Sequence, residues 1–400
     1  MTQALHGKKI KKKLSWLSLI SSTSFFITAL FGVVVILPAV SPASGAQVAD
    51  ILRSVVGPQP VADIESVSFQ IKDAINQYLS IHDGGKAQIS IYLYTAYKPP
   101  LAARKLVSIS NASSQPVQPV NIPATADVVS ALPQIGWHSY GPTMNGTPMM
   151  AQALLSLDPQ RPYAAIALVR MDLSMLQLNM MPGYLEPSHD GNILKAIPNV
   201  GMIPATDQSH LIAAFNGGFK AVNGHYGMMV NGLTLLPPQP GLATLAVYRD
   251  GHVNIGAWEG GISPTPDLVA FRQNCPLIVQ NGQLNQMVNV VNYVMWGNTI
   301  GNQDITWRTG VGITKDSRYL IYAVGNGASV QTLAQALLNA GAYNAMQLDI
   351  NQHYAHFAAY QSTGNSASPL KAVQLLDQME SDPSLYLTPH SRDYFYLTTY

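Results

Sequence analysis

The apolar positions along this chain follow different periods in different places, and each period predicts a different element. From Leu14 to Leu37 there is no period, only an uncharged stretch that becomes strongly apolar from Phe25 onward. That length suffices for a helix to cross a bilayer. Between Ile64 and Tyr78 the apolar residues Ile64, Val67, Ile71, Ile75 and Tyr78 recur at spacings of three and four, which predicts an amphipathic helix. Ile89–Tyr97 alternates apolar with polar residues and reads as a strand. Asn111–Val128, rich in Ser, Pro, Gln and Ala, has no period and reads as a linker.

Beyond residue 160 the pattern becomes short apolar runs separated by turn residues. Tyr163–Arg170, Leu173–Leu178 and Leu211–Phe215 are predicted strands, the last running into Asn216-Gly217-Gly218. Leu242–Tyr248 and His252–Trp258 flank Asp250-Gly251, and the segments around Asn281-Gly282 repeat that signal; both predict two-residue hairpin loops. Val311–Thr314 and Tyr319–Val324 flank the longer loop 315–318. Val330–Asn339 is a predicted helix, with Ser329 as N-cap, an apolar face of Leu333, Ala336, Leu337 and Ala340, and Gly341 as the stop. A strand over Asn344–Leu348 follows. Repeated hairpins with few helices predict an α+β fold dominated by antiparallel sheet, preceded by one transmembrane helix.

Charge sharpens the reading of the N-terminus. Lys8, Lys9, Lys11, Lys12 and Lys13 precede the apolar stretch, and no charged residue follows until Asp50. A lysine cluster stays on the cytoplasmic side, which sends the remainder outside. The expected organisation is a cytoplasmic tail over 1–13, a transmembrane anchor over 14–40, a small region with a Ser/Pro-rich linker over 41–130, and a main extracellular domain over 131–400. The expected location is the cell membrane, with the lipid bilayer as a partner. Ser44 and Ala46 also fit a cleaved signal peptide, although the apolar stretch is longer than the usual signal core.

Composition removes several function classes. Charged residues make up 11% of the 400-residue chain and hydrophobic ones 47%, which excludes a mostly disordered chain. The net charge is +1, so the chain is not a globally basic nucleic-acid binder. The single cysteine, Cys275, can form no internal disulfide and no cysteine-based zinc site. G-x-S-x-G, H-E-x-x-H and P-loop motifs are absent.

Three segments carry candidate chemistry. In Asn216-Gly217-Gly218 an amide that both donates and accepts could meet sugar hydroxyls beside bare backbone, although the same residues also make an ordinary turn. In Trp307-Arg308-Thr309-Gly310 the arginine could clamp a phosphate, or simply sit at the surface. In Leu348-Asp349-Ile350-Asn351-Gln352-His353 an extended backbone would put Asp349, Asn351 and His353 on one face. Those three could bind a sugar, hold a hard cation or move a proton; a strand end satisfied by nearby backbone is the plain alternative. His356 follows closely, and Glu259 and Asp304 are reserve carboxylates.

In order and spacing, the three segments resemble the phosphodiester glycosidase domain, whose motifs N-G-G-F-F, R-T-A-I-G and L-D-G-G-G-S correspond to N-G-G-F-K, R-T-G-V-G and L-D-I-N-Q-H here. The resemblance covers roughly residues 160–365. It implies a hydrolase that cleaves a sugar C1–phosphodiester bond in an envelope or extracellular glycan, with Asp349 as base or charge stabiliser and Arg308 neutralising the phosphate. Asn216, Gly217, Gly218, Asn351 and His353 are the expected substrate-binding residues. No cofactor is implied with any definiteness; a divalent cation stays open, including a metal-dependent reading through His353, His356 and Asp349. Where the family has Gly-Gly-Gly-Ser, this chain has Ile350-Asn351-Gln352-His353, which places Cβ atoms where bare backbone could approach a ligand. A catalytically inert carbohydrate- or envelope-binding protein is therefore the alternative.

Overall fold

β-branched and aromatic runs punctuated by Asn-Gly and Asp-Gly pairs build three antiparallel sheets around a single packed unit. The computed structural model describes residues 73–75, 77–78, 135–187, 191–290, 295–297, 304–364 and 370–400, all within one unit that spans Asp73–Tyr400. The anchor expected over 14–40, the strand Ile89–Tyr97 and the linker Asn111–Val128 lie outside the described residues. Of the helix expected over 64–78, residues 73–75, 77 and 78 are described and are helical. Among the described residues no helix is long and apolar enough to cross a membrane.

The largest sheet holds β1 (His138–Met144), β2 (Thr147–Leu155), β3 (Ile166–Asp172), β11 (Val279–Gln280), β12 (Gln283–Leu284), β13 (Thr306–Ile313), β14 (Tyr319–Ala328) and β15 (Asn344–Gln347), in the order β1-β2-β3-β14-β13-β15-β11-β12. A second sheet runs β17 (Leu370–Gln374), β16 (Phe357–Ser362), β5 (Leu211–Asn216), β18 (Tyr394–Thr399), β4 (Leu176–Met181). The third, β7 (Leu233–Leu236), β6 (Met228–Val230), β10 (Leu268–Gln273), β8 (Ala243–Tyr248), β9 (Val253–Ala257), completes the set. The main helix, α1, spans Val330–Asn339. The antiparallel, sheet-dominated α+β class expected from the sequence is what the chain adopts.

Strand alternation sorts the core. On β13 the side chains of Trp307, Val311 and Ile313 face the main core, where they meet Phe215, Phe357 and Phe395 of the second sheet. The ring of Phe215 stacks on Phe395 at 5.2 Å and meets Tyr322 at 5.2 Å. On the other face, α1 lays Leu333, Ala336 and Leu337 against Ile166, Leu168, Ile321 and Ala323. The helix begins at a reciprocal capping box: Ser329 Oγ accepts from the Thr332 amide, and Thr332 Oγ1 accepts from the Ser329 amide.

Turn chemistry accounts for the register. Asn281 and Gly282 both have positive φ, 52° and 73°, so β11 and β12 join through the expected two-residue loop. The β8–β9 loop differs. Tyr248 and His252 remain paired, and Gly251 alone takes positive φ, so the loop has three residues rather than two.

Candidate active site

The site lies where strand ends of two sheets meet. Tyr394 of β18 pairs with Asn216 of β5, so the residues just before β18 lie beside those just after β5. This register puts Arg392 and Asp393 next to Gly217 and Gly218. The Gly217 amide donates to the Asp393 carbonyl at 3.0 Å, and the Gly218 amide to Asp393 Oδ2 at 3.1 Å. A Cβ on Gly217 would overlap the Asp393 carboxylate, and one on Gly218 would stand 2.9 Å from Arg272 Cζ. The two glycines are thus explained by an ion pair inside the protein. Arg272 Nε donates to Asp393 Oδ2 at 2.8 Å, with both side chains essentially inaccessible.

Asn216 serves the scaffold in the same way. Its Nδ2 donates to Thr309 Oγ1 at 2.9 Å and to the Gly217 carbonyl at 3.1 Å. Its Oδ1 accepts from Tyr322 Oη at 2.9 Å and from the His356 amide at 3.2 Å. Both ends of the amide are occupied, so the expected bonds to sugar hydroxyls are replaced by bonds that tie β5 to β13, β14 and the start of β16.

Thr309, rather than Arg308, is the residue of the second motif that meets the third. Its Oγ1 donates to the Asp349 carbonyl at 2.6 Å, and its own carbonyl accepts from the Leu348 amide at 2.8 Å. The Asp349 amide donates to the Gly217 carbonyl at 3.1 Å. All three motifs therefore touch within a few hydrogen bonds of Asp349.

Arg308 points to the opposite side of β13, and here the sequence expectation needs correcting. The guanidinium is buried, and it donates to the carbonyls of Asp304, Ala328 and Trp296 and to Gln347 Oε1. Burial lowers its pKa to about 10, despite nearby Asp304. Those bonds account for its donors, so it is not presented to a phosphate. It fastens β13 to β14, β15 and the segment around Trp296.

The cation that faces Asp349 is Arg392, which sequence reasoning missed. Arg392 Nη2 is hydrogen-bonded to Asp349 Oδ2 and donates to the Gly218 carbonyl at 3.0 Å. Its guanidinium lies 4.4 Å from the centre of the Tyr354 ring, and Lys220 Nζ lies 5.9 Å from the same ring. Burial alone would lower the Arg392 pKa, but Asp349 and Asp393 hold it above the ordinary arginine value. Arg392 Nε is buried and has no hydrogen-bond partner among the described residues. The signal available in the sequence was Arg392-Asp393, an adjacent charge pair in a charge-poor C-terminal stretch.

The third motif is not extended beyond Gln347, which corrects the predicted shared face. Asp349 Oδ1 accepts from the Asn351 amide and Asn351 Oδ1 from the His353 amide, both at 2.9 Å, so two consecutive Asx turns curl the segment. His353 Nδ1 then lies 2.7 Å from Glu380 Oε2, with the imidazole almost fully buried. His356 turns inward instead, its Nδ1 2.6 Å from Ser381 Oγ. Burial, reinforced by His390, lowers the His356 pKa to about 3. Among the described residues no three His, Cys, Asp or Glu side chains are grouped closely enough to hold a metal ion. Glu259 lies in an exposed turn with φ 62°, and Asp304 lies beside Arg308. A recess lined by Leu157, Ala164, Gly327 and Thr332 includes none of the motif residues.

Comparison with known proteins bears on this geometry. The sequence model of the phosphodiester glycosidase family matches residues 209–349. No match is found among curated protein sequences. Among solved structures, the chain is similar to the catalytic domain of zebrafish N-acetylglucosamine-1-phosphodiester alpha-N-acetylglucosaminidase, auto-inhibited by its pro-peptide, at 15% identity over 68% of this chain and 91% of that one, with a TM-score of 0.40. It is also similar to a hypothetical protein from Synechocystis, at 11% identity over 68% of this chain and 64% of that one, with a TM-score of 0.34. A protein of Burkholderia pseudomallei K96243 described as exported aligns at 11% identity over 59% of this chain and 74% of that one, with a TM-score of 0.33. The matched segment contains the Asn216-Gly217-Gly218 turn, the Arg308-Thr309 strand and Asp349 itself, so over residues 209–349 the chain is similar to the phosphodiester glycosidase family.

Proposed function

We propose that this protein hydrolyses the bond between a sugar C1 and a phosphodiester, acting on an extracellular or envelope glycan from a membrane-anchored position. The observation that carries the reading is the Asp349–Arg392 pair at the point where all three family motifs converge. A phosphodiester brings one negative charge to the site, and Arg392 Nε is a donor still available for one of its oxygens. As the C1–O bond breaks, positive charge develops on the sugar and negative charge on the leaving phosphate. Asp349 stabilises the first and Arg392 the second, an electrostatic arrangement that the surrounding fold holds in place. Phosphate leaves readily, so strong acid assistance is needed less than for an ordinary glycoside. The anchoring part of the proposal rests on the five lysines followed by the uncharged stretch from Leu14.

The test uses the full-length protein in detergent or in its membrane, with a panel of hexose and N-acetylhexosamine 1-phosphodiesters. Free reducing sugar should appear, and in ¹⁸O-labelled water the label should enter the sugar rather than the phosphate. Binding of the same compounds without any sugar release would select the inert alternative. That alternative draws on the engagement of Asp349 with Arg392 and on the Ile350–His353 segment that stands in place of Gly-Gly-Gly-Ser.

A further inference from the structure

With the sugar at Asp349 and the phosphate at Arg392, the group on the other phosphate ester must lie along the segments that surround Arg392. One of these, Gly183–Glu186, runs beside residues 390–391. The Tyr184 amide donates to the His390 carbonyl at 3.1 Å, and the Leu185 and Glu186 amides donate to the Ser391 carbonyl at 3.2 and 2.9 Å. The contact is close, since a Cβ on Gly183 would overlap the Ser391 carbonyl and the Arg392 amide nitrogen. The other segment is 218–222. Arg392 Nη2 donates to its Gly218 carbonyl at 3.0 Å, and Glu186 Oε2 accepts from its Ala221 amide at 3.0 Å. The side chains of Glu186 and Arg392 therefore reach the same segment three residues apart. Burial disfavours the Arg392 charge, and Glu186 is among the groups that offset this, after Asp349, Asp393 and Tyr354.

These two segments expose apolar side chains. Tyr184 is 47% exposed, Leu185 62% and Val222 76%. Among the described residues eight large hydrophobic side chains are exposed, and three of the eight stand on these two short loops, which the Glu186–Ala221 bond joins. A single exposed apolar residue needs no explanation, but a group of them beside a charged site marks a binding surface. Asn223 and His225, also exposed, supply a polar edge.

Resting on the hydrolase reading above, we infer that Tyr184, Leu185 and Val222 form the subsite for the second ester of the phosphodiester, and that this ester is a long alkyl or prenyl chain. The substrate is then a lipid-linked sugar 1-phosphate. Charge and position select this occupant. The phosphate that pairs with Arg392 carries the chain directly, and the loops flanking Arg392 offer that chain apolar side chains that no other part of the protein covers. Water attack at C1 breaks the C1–O bond, leaves its electron pair on the phosphate, and releases free sugar and an alkyl phosphate. A substrate of this kind resides in a bilayer, the same place to which the five lysines and the uncharged stretch from Leu14 assign the enzyme.

The experiment uses the full-length protein in lipid nanodiscs and compares kcat/KM for sugar 1-phosphodiesters that carry methyl, butyl and octyl groups. Binding of butyl and octyl phosphate, the corresponding products, is measured on the same samples by calorimetry and needs no turnover. Burial of the chain should raise kcat/KM and product affinity by about two- to fourfold per methylene, or about 20- to 250-fold from butyl to octyl. The double variant Leu185→Ser/Val222→Ser alters only exposed positions and should lose at least about tenfold of that octyl-to-butyl ratio. Ile75→Ser, which removes an exposed apolar side chain from the segment that Asp73 ties to Arg161 and Tyr163, should leave the ratio as in wild type. An active wild type with equal kcat/KM for butyl and octyl diesters overturns the inference alone, as does a double variant that keeps the full ratio. A double variant that keeps the ratio but loses binding to plain phosphatidylcholine vesicles, or loses self-association, assigns the loops to the bilayer or to a second copy and also overturns it. If no diester releases sugar, the hydrolase reading fails; the apolar subsite then stands only if octyl phosphate still binds more tightly than butyl phosphate and the double variant removes the difference, and otherwise falls too.

Discussion

Arg392 lies against Asp349 although 43 residues separate them, and neither is more than 7% exposed in its side chain. The pair joins a residue at the end of the family-matched segment to one well beyond it. Removing one partner of a buried ion pair strands the other charge and typically costs about 3–5 kcal/mol, whereas replacing both by uncharged groups can be nearly neutral. Asp349→Asn should therefore lower both stability and turnover. In the double variant Asp349→Asn/Arg392→Met stability should recover, while turnover stays about 10²–10⁴-fold below wild type. Melting curves and sugar release on the same samples check this. Turnover that recovers together with stability would mean that the pair is only structural.

Arg308 supports the opposite expectation. Its guanidinium is spent on three carbonyls and the Gln347 amide oxygen. Lysine cannot reproduce that fan of donors, and a buried acceptor left unsatisfied costs about 1–3 kcal/mol. Arg308→Lys should lower the melting temperature and leave kcat per folded molecule unchanged. Active-site titration combined with calorimetry separates the two quantities. A large kcat loss in fully folded protein would return Arg308 to the reaction.

The Gly217 position is set by the Asp393 carboxylate packed against its backbone. Gly217→Ala forces the Arg272–Asp393 pair apart, and separating a buried pair costs on the order of 3–5 kcal/mol. The variant should express poorly or melt far below wild type. Chemical denaturation with an unchanged slope but an earlier midpoint would confirm loss of stability without change of fold. A stable Gly217→Ala protein would show that the glycine is there for a ligand instead.

How much of this was legible beforehand depends on what each signal encodes. Local patterns specify the helix Val330–Asn339 to the residue, and the Asn281-Gly282 hairpin with its two-residue loop. Both depend on interactions within a few residues of chain. The β1–β2 and β6–β7 hairpins carry the same Asn-Gly signal at Asn145-Gly146 and Asn231-Gly232, with positive φ at all four residues, but the strands around them give a weak pattern: Gly141, Pro142 and Pro148 interrupt the first pair, and the second pair is only three and four residues long. The three motifs do converge in space around Asp349. Their side-chain assignments did not transfer, because strand alternation decides that Thr309 and not Arg308 faces Asp349, and that alternation depends on which face the core covers. Arg392 was out of reach for a different reason. Only the antiparallel register of β18 with β5, a long-range pairing, brings it to the site.

Two buried histidines make a prediction about acid. Burial lowers the pKa of His356 to about 3, with His390 contributing further, and burial lowers that of His390 to about 4, against an ordinary value of 6.5. His356 meets the edge of Tyr386 at 4.9 Å and His390 meets it at 5.3 Å, so both rings are packed where a charge has little solvation. In the unfolded chain each imidazole takes up a proton as pH falls through 6.5, while in the folded chain it remains neutral until about 4 for His390 and about 3 for His356. The unfolded state therefore binds more protons throughout that window, and stability falls as pH falls. Each histidine contributes a loss of about 1.4 kcal/mol per pH unit below 6.5, ending at its own folded value. Melting temperature should thus decline steadily from about pH 7 to pH 5, before most carboxylates titrate. His356→Gln should flatten that decline by roughly half, since one of the two proton sinks has been removed. If the variant and the wild type lose stability in parallel over this range, the imidazoles titrate alike in both states, and the acid sensitivity has its origin elsewhere.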